Sequence, residues 1–231
     1  MNLSLEDAYK VQQLSKARRL ARGEHIVGYK LGFTSRAKME QMGVHDLIWG
    51  FLSNTMIVEN GKNVDLSKYI HPRVEPEIAF KVKKTIKHSL TLENVKEYIE
   101  SVAPALEIID SRFKNFKFSL EDVVADNCSS TGFVVGEWQD VDVPINDLKM
   151  ELICNNQVVE TGNSNAILGN PWESVVELSR LIAARQQVLE PGYVIMAGAA
   201  TAAKFLEPNM SVSTKVEKLG EVGFSVNNLK V

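Results

Sequence analysis

Apolar residues near the start of the chain recur at the three- and four-residue spacing of a helix, beginning at Leu5 and Ala8. Ser4 can accept a hydrogen bond from the free N–H groups of a first turn, and Gly23 can adopt the backbone conformation that ends a helix. The pattern therefore predicts a helix over residues 4–22.

Two later segments combine apolar periodicity with start and stop signals. The sequence Asn170-Pro171-Trp172-Glu173 offers a capping side chain, a proline in the first turn and a glutamate for a capping box. It therefore predicts a helix whose body covers residues 175–184. Thr91 can cap another segment, and Pro104 cannot continue it. We therefore predict a further helix over residues 92–102.

Shorter apolar runs bounded by turn residues predict strands. These runs cover residues 26–31, 105–109, 132–136, 149–154, 158–161, 193–196, 210–216 and 222–226. Asn155-Asn156 suits the tight turn of a hairpin between two of them, because asparagine tolerates a positive φ. Strands outnumber helices and do not alternate with them, which argues against a Rossmann fold or a TIM barrel. The sequence predicts a single α+β domain over residues 1–231.

The composition indicates which kinds of molecule the protein can bind. The 231 residues are 45% hydrophobic and 24% charged, and the net charge is −3 with no block of like charges, which argues against nucleic-acid binding. No apolar run is long enough for a membrane span, and residues 1–30 lack the apolar core of a secretory signal. The only cysteines, Cys128 and Cys154, are far apart and form no metal-type pair. We therefore expect a cytoplasmic protein that acts on small molecules.

The segment "HPRVEPEIAF", residues 71–80, places Glu75 and Glu77 two residues apart in a strand. Side chains at positions i and i+2 of a strand point to the same face, so these carboxylates occupy one patch. Like charges that close repel each other unless water surrounds them or a cation lies between them. A solvated strand face is the commoner explanation, and a metal site is the alternative.

Two further charged residues lie inside apolar strands. Glu107 stands within the run "ALEII", and Lys30 stands within "YKLGF". A buried carboxylate needs a cation, a hydrogen-bond donor or a proton, so Glu107 is either a core residue paired with a cation such as Arg112 or a functional acid. Lys30 either extends from a strand edge into water or serves a site. Together, Glu75, Glu77 and Glu107 would supply half of the octahedral oxygen shell that Mg²⁺ prefers.

Nucleotide-binding loops, zinc-protease motifs and nucleophile elbows are absent from the sequence. Six stretches resemble instead, in the same order, the fumarylacetoacetase superfamily, in its branch of 2-oxopentenoate hydratases and 4-oxalocrotonate decarboxylases. They are "GYKLGFTSRAKMEQMGV", "IWGFL", "HPRVEPEIAF", "PALEIIDSRFKNFKFSLEDVVADNCSSTGFVVG", "VVETGNSNAILGNP" and "PGYVIMAGAAT". The resemblance covers almost the whole chain. It implies a mixed β-roll or distorted barrel with flanking helices.

The same resemblance implies a divalent-metal site. By position in the motifs, the metal, Mg²⁺ or alternatively Mn²⁺, would be held by Glu75, Glu77 and Glu107. Lys30 matches the active-site lysine of the family. Ser130, in the polar loop "ADNCSS", would lie near the substrate.

One position divides the two activities of this branch. Its hydratases usually carry an acidic residue just before an aromatic-glycine pair, where this chain has Ile48. The resemblance therefore favours a carbon–carbon lyase that decarboxylates 2-oxohex-3-enedioate to 2-hydroxypenta-2,4-dienoate in meta-cleavage aromatic catabolism. Hydration of that dienoate is one alternative, and a non-catalytic subunit that binds an active relative is another.

The resemblance also carries expectations about assembly. It implies a homo-oligomer and an association with the hydratase of the same pathway. The charge and hydropathy patterns predict neither nucleic acid nor membrane as a partner. Most members of the branch begin about one helix earlier than this chain. We therefore expect the helical lead of the family to be largely absent here.

Overall fold

Strands form most of the regular structure in the part of the chain that the computed structural model describes, residues 3–34 and 46–227. The helices there are α1 (Leu5–Ala21), α2 (Leu120–Ala125) and α3 (Trp172–Ala183). The strands are β1 (Ile26–Gly32), β2 (Ile48–Ser53), β3 (Asn63–Val64), β4 (Arg73–Val82), β5 (Ile99–Ile109), β6 (Ser130–Val135), β7 (Gln139–Asp140), β8 (Lys149–Cys154), β9 (Gln157–Asn163), β10 (Val194–Met196), β11 (Lys204–Phe205), β12 (Ser211–Val216) and β13 (Gly220–Val226).

The strands form two mixed sheets. The larger sheet has the order β2-β1-β10-β4-β5-β6, with β11 paired to β4 and β7 paired to β5. Its β1–β10 pair is parallel, and its other pairs are antiparallel. The smaller sheet has the order β3-β13-β12-β8-β9, with only the β3–β13 pair parallel. The predicted α+β class with mixed sheets is confirmed, and the extent of one domain over residues 1–231 stays a prediction.

The two sheets pack against each other through one face of β4 and β5. Val74, Leu106 and Ile108 from the larger sheet are buried in one apolar cluster with Val212 and Phe224 from the smaller sheet. Residues two apart in a strand share a face, so neighbouring odd-numbered positions of β4 and β5 point away from the smaller sheet. This packing decides where the acidic residues of the two strands lie.

The first helix forms as the sequence predicts and attaches to the edge of the larger sheet. The Ser4 hydroxyl accepts a hydrogen bond from the N–H of Asp7 at 3.1 Å, which caps α1. Tyr9 stacks on Trp49 with ring centroids 5.3 Å apart. Gln12 is fully buried, and its Nε2 donates a 2.8 Å hydrogen bond to the carbonyl oxygen of Trp49. These contacts hold α1 against β2.

The prediction of a helix over residues 92–102 is wrong. Only a short 3₁₀ turn forms, at Val95–Tyr98, and the chain then enters β5, which pairs with β4 on one side and β6 on the other. Val102 lies opposite Phe80, and Pro104 lies opposite Ile78 inside the strand. Burial between two neighbouring strands outweighs the weak helical spacing, as it often does for β-branched residues. The other predicted helices and strands are present.

No helix among the described residues is long and apolar enough to span a membrane. Residues 35–44, which belong to the first motif used for the family resemblance, lie outside the described residues.

Candidate active site

The register between β4 and β5 brings the three predicted acids together. Glu75 lies directly opposite Glu107, and Glu77 lies opposite Ala105 on the same face. One carboxylate oxygen from each of Glu75, Glu77 and Glu107 lies within 4.8 Å of the others. Three hard oxygen donors this close are the arrangement that Mg²⁺ or Mn²⁺ uses in proteins.

Two of these three carboxylates are deeply buried and short of hydrogen-bond donors. Glu77 and Glu107 are both 0% exposed, and one oxygen of each, Oε1, has no hydrogen-bond partner among the described residues. Burial, then the carboxylates of Glu107 and Glu75, raise the pKa of Glu77 well above its ordinary value. Orphaned carboxylate oxygens in an apolar interior are costly unless a cation reaches them. The donor set therefore fits a divalent metal ion.

A glycine holds the other oxygen of Glu77. The N–H of Gly198 donates a 2.7 Å hydrogen bond to Glu77 Oε2. Gly198 has a φ of 107°, and a Cβ at this position would lie 2.2 Å from Oγ1 of Thr34. Only glycine tolerates this positive φ and leaves room for the Thr34 side chain, so the chain after β10 can approach the acids closely. The N–H dipole fixes the direction in which Glu77 points.

Lys30 is the cation that the described residues supply to the cluster. Its Nζ lies 3.0 Å from Oε2 of Glu107, and the lysine side chain is 4% exposed. Burial is the largest single influence and acts to lower the pKa of Lys30, but the acidic groups around it, Glu107 first among them, together hold that pKa above its ordinary value. Lys30 therefore remains an ammonium inside the protein, not a side chain that extends into water.

The contact between Lys30 and Glu107 requires a strongly curled sheet. Two strands, β10 and β4, separate β1 from β5. In a flat sheet the backbones of β1 and β5 would be about 14 Å apart, since neighbouring strands are about 4.8 Å apart. The observed 3.0 Å contact between the side chains shows that the sheet wraps around the acids.

Arg112 does not pair with Glu107, which was one alternative for that acid. Its Nε pairs with Oδ1 of Asp126, and its NH2 donates a 2.7 Å hydrogen bond to the Asp126 carbonyl oxygen. Arg112 thus anchors the loop that follows α2, and Lys30 takes its place as the partner of Glu107.

A cavity of about 190 Å³ adjoins the cluster. Lys30 and Glu75 supply its charged wall, and Ile48 on β2 is one of its apolar residues. The other residues that line it are Leu31, Gly32, Phe33, Thr34, Ile109, Phe116, Phe118, Val123, Cys128, Ser129 and Ala199. This volume is below the roughly 300–1,000 Å³ of pockets for drug-sized ligands, so it suits a small molecule.

The polar loop before β6 reaches the cavity in a way that the sequence did not predict. Ser129 lines the cavity, whereas Ser130, the predicted substrate neighbour, is buried at the start of β6 and is not among the lining residues. Burial raises the pKa of the Cys128 thiol to about 12, so this lining residue is a neutral thiol. The aromatic residues of the segment "DSRFKNFKF" are the sequence feature that could have predicted the apolar wall of the cavity, since Phe116 and Phe118 belong to that wall.

Three consecutive residues of this loop have left-handed backbone conformations. Asn127, Cys128 and Ser129 have φ values of 51°, 53° and 57°. Such conformations are unfavourable for residues other than glycine. The Asn127 side chain compensates by accepting a 2.9 Å hydrogen bond from the N–H of Phe51 and donating a 3.0 Å bond to its carbonyl oxygen. Strained backbone held by its surroundings is typical of functional loops.

Comparisons with known proteins agree with this architecture. The model of the fumarylacetoacetate (FAA) hydrolase C-terminal family matches residues 24–227. The chain therefore belongs to this family.

Three relatives show which members of the family this chain resembles. A 4-oxalocrotonate decarboxylase from Pseudomonas sp. is 49% identical over 223 residues, which cover 96% of this chain and 87% of the relative. A 2-hydroxyhexa-2,4-dienoate hydratase from Comamonas testosteroni is 37% identical over 202 residues, with coverages of 85% and 76%. The solved structure of 4-oxalocrotonate decarboxylase from Pseudomonas putida G7, complexed with magnesium and adipate, has a TM-score of 0.93 and 41% identity, with coverages of 96% and 86%.

Replacing Glu77 by glutamine should stabilise the protein without metal and abolish its stabilisation by Mg²⁺. Glutamine keeps the side-chain shape but removes a charge that the Glu107 and Glu75 carboxylates oppose. In thermal unfolding, E77Q should melt at or above the wild-type temperature in chelator. A hundredfold excess of Mg²⁺ over its Kd should raise only the wild-type Tm, by roughly 5–10 °C.

The control for this experiment is Glu100→Gln. Glu100 lies on β5, the strand that pairs with the strand of Glu77, and it is half-exposed and paired with Lys81, so its loss should leave the response to Mg²⁺ unchanged. Equal stabilisation of E77Q and the wild type by Mg²⁺ would contradict the metal assignment.

Proposed function

We propose that this protein is a divalent-metal-dependent decarboxylase that converts 2-oxohex-3-enedioate to 2-hydroxypenta-2,4-dienoate and CO₂. The observation that carries the proposal is the cluster of three carboxylates, of which Glu77 and Glu107 are buried with one orphaned oxygen each, beside a small, largely apolar cavity. The name of the 49% identical relative supports this activity, and the magnesium and adipate of the solved relative support a metal and a six-carbon diacid. The proposed enzyme is a carbon–carbon lyase.

Glu75, Glu77 and Glu107 would hold the metal, which we propose to be Mg²⁺, with Mn²⁺ as the alternative ion. A bound divalent ion would act as a Lewis acid toward the 2-oxo acid end of the substrate. Glu77 is fixed for this task by the Gly198 N–H, and Glu107 is fixed by Lys30. These contacts orient both carboxylates before any ligand arrives, which lowers the reorganisation needed on binding.

Lys30 provides positive charge where the reaction needs it. Loss of CO₂ breaks the C5–C6 bond, and its electron pair moves through the conjugated chain until negative charge collects on the C2 oxygen. Protonation of that dienolate gives the product. An ammonium that lies in the cavity wall, buried and already ionised, stabilises this developing charge more strongly than it would in water.

Ile48 and its apolar neighbours favour decarboxylation over hydration. Ile48 is 4% exposed and lines the cavity, together with Phe116 and Phe118. An apolar wall disfavours a carboxylate relative to neutral CO₂ and keeps water from the dienolate. A hydratase must instead activate water with a base. Glu75, assigned to the metal, is the only acidic residue among the described lining residues, which include no histidine.

We also propose that the enzyme works in the cytoplasm as a homo-oligomer and associates with the hydratase that would consume its product. Cys128 and Cys154 are both free and buried, which suits a reducing compartment. Ile57, Ile70 and Phe205 are each at least half exposed, and such apolar side chains are suitable for contacts between subunits.

The purified wild-type protein with Mg²⁺ should release CO₂ from 2-oxohex-3-enedioate, and the absorbance of the dienoate should rise in step. Chelation of the metal should stop both signals, because the substrate carbonyl is then no longer polarised. Hydration of 2-hydroxypenta-2,4-dienoate should be negligible. Faster hydration than CO₂ release would favour the hydratase alternative, and neither activity would favour the non-catalytic one.

Replacing Lys30 by methionine should lower kcat for decarboxylation by roughly 100-fold or more, since the charge that stabilises the dienolate is lost. Binding of Mg²⁺, measured by calorimetry, should be retained, because the three carboxylates remain. Lys16→Met is the matched control: Lys16 is a half-buried lysine that contacts Tyr29 and Gln187 outside the cavity, and its loss should leave kcat near the wild-type value. An unchanged kcat in K30M would make Lys30 a structural residue only.

A further inference from the structure

An arginine on the site face of β4 has no role in the mechanism above. Arg73 lies two residues before Glu75 on the same face of the strand, directly opposite Ile109, which lines the cavity. Its guanidinium carbon lies 4.2 Å from the ring centroid of Phe116 and 4.2 Å from that of Phe205. Its Nε is buried and has no hydrogen-bond partner among the described residues. Aromatic rings are therefore the partners that the structure shows for this cation.

Phe116 belongs to the apolar wall of the cavity although its backbone conformation is unfavourable. Its φ is 54°, and the φ of Asn115 before it is 58°. A positive φ in a bulky residue is rare and persists only where the surrounding structure enforces it. The residues on either side, Asn115 and Lys117, are exposed and pack against little. The contacts of the Phe116 ring must therefore hold this loop in place.

Two side chains from the start of β4 supply these contacts. The His71 ring stacks on Phe116 with centroids 4.7 Å apart, and His71 Nε2 donates a 2.8 Å hydrogen bond to the carbonyl oxygen of Ser111, which fixes the imidazole. The Arg73 guanidinium adds the attraction between a cation and the electron-rich face of an aromatic ring. Phe205 on β11 packs against the same guanidinium and restricts its movement. Arg73 thus connects the sheet to the loop that closes the cavity.

We propose that Arg73 is a positioning residue of the active site, which holds Phe116 in the apolar wall of the cavity. This inference rests on the proposed decarboxylation. A closed apolar wall leaves the departing carboxylate poorly hydrated, which favours its loss as neutral CO₂. Without the guanidinium, residues 113–118 can relax toward ordinary backbone conformations, and Phe116 then leaves the wall. Arg73 therefore acts on the chemical step through Phe116, without touching the substrate.

Steady-state kinetics with Mg²⁺ and 2-oxohex-3-enedioate test this role. Arg73→Met removes the charge and the planar group, and it should lower kcat by about tenfold. KM should change by less than about threefold, because the metal still binds the 2-oxo acid end. Arg73→Lys keeps a cation and should recover part of kcat. Phe116→Leu should cause a loss similar to that of R73M, and adding R73M to F116L should lower kcat little further, because both changes act on the same wall.

Limited proteolysis tests the position of the loop without turnover. Trypsin cleaves after lysine, and Lys114 and Lys117 are exposed on this loop. Cleavage within a folded protein requires local opening, so R73M should be cut at these two sites at least about fivefold faster than the wild type. Mass spectrometry of the fragments identifies the sites. Arg185→Met is the matched control: Arg185 lies 3.9 Å from the ring centroid of Tyr9, outside the cavity, and its loss should change neither kcat nor cleavage of the loop.

The possible outcomes separate this inference from the proposed function. An active wild type with an unchanged kcat in R73M, or with unchanged cleavage of the loop, would overturn the role of Arg73 and leave the decarboxylase function in place. An equal loss of kcat from R73M in the wild-type and F116L backgrounds would also overturn it, because Arg73 would then act independently of Phe116. A wild-type protein that releases no CO₂ would overturn the proposed function and the role of Arg73 with it.

Discussion

Three carboxylates face one ammonium in the interior of this protein, and the rest of the structure is arranged around that imbalance. With all four groups ionised, Glu75, Glu77, Glu107 and Lys30 carry two excess negative charges in a largely apolar environment. The 3.0 Å contact between Lys30 and Glu107 requires the larger sheet to curl, and among the described residues the Gly198 N–H is the hydrogen-bond donor to Glu77. A divalent ion bound at these carboxylates would balance the excess negative charge.

The same imbalance connects stability with function. A buried charged cluster without its cation destabilises the fold, and active sites commonly carry such a cost because the strained arrangement is the useful one. The packing of Val74, Leu106 and Ile108 on the smaller sheet offsets this cost from the opposite face of the same two strands. β4 and β5 are therefore both the centre of the core and the support of the site.

The sequence predicted the parts of the site that depend on local pattern. The two-residue spacing of Glu75 and Glu77 placed them on one face, and positions inside apolar strands marked Glu107 and Lys30 as candidates. The family resemblance then favoured a metal site over the structural alternatives. The ion pair between Lys30 and Glu107 could not be predicted from either strand alone, because it depends on the order of four strands and on the curl of the sheet. Pro104 was misread as a helix boundary although it lies inside β5, and Ser129 was missed because it joins the cavity wall from a left-handed loop, not from a regular element.

The most direct test of the central claim is the position of a bound ion. Crystals grown with Mn²⁺ should show one strong anomalous peak about 2.0–2.2 Å from oxygens of Glu75, Glu77 and Glu107, with Lys30 still paired to Glu107. Two of these acids, Glu77 and Glu107, offer orphaned oxygens for that ion. A peak at any other group of residues, or a fully occupied ion that leaves these carboxylates uncoordinated, would contradict the account.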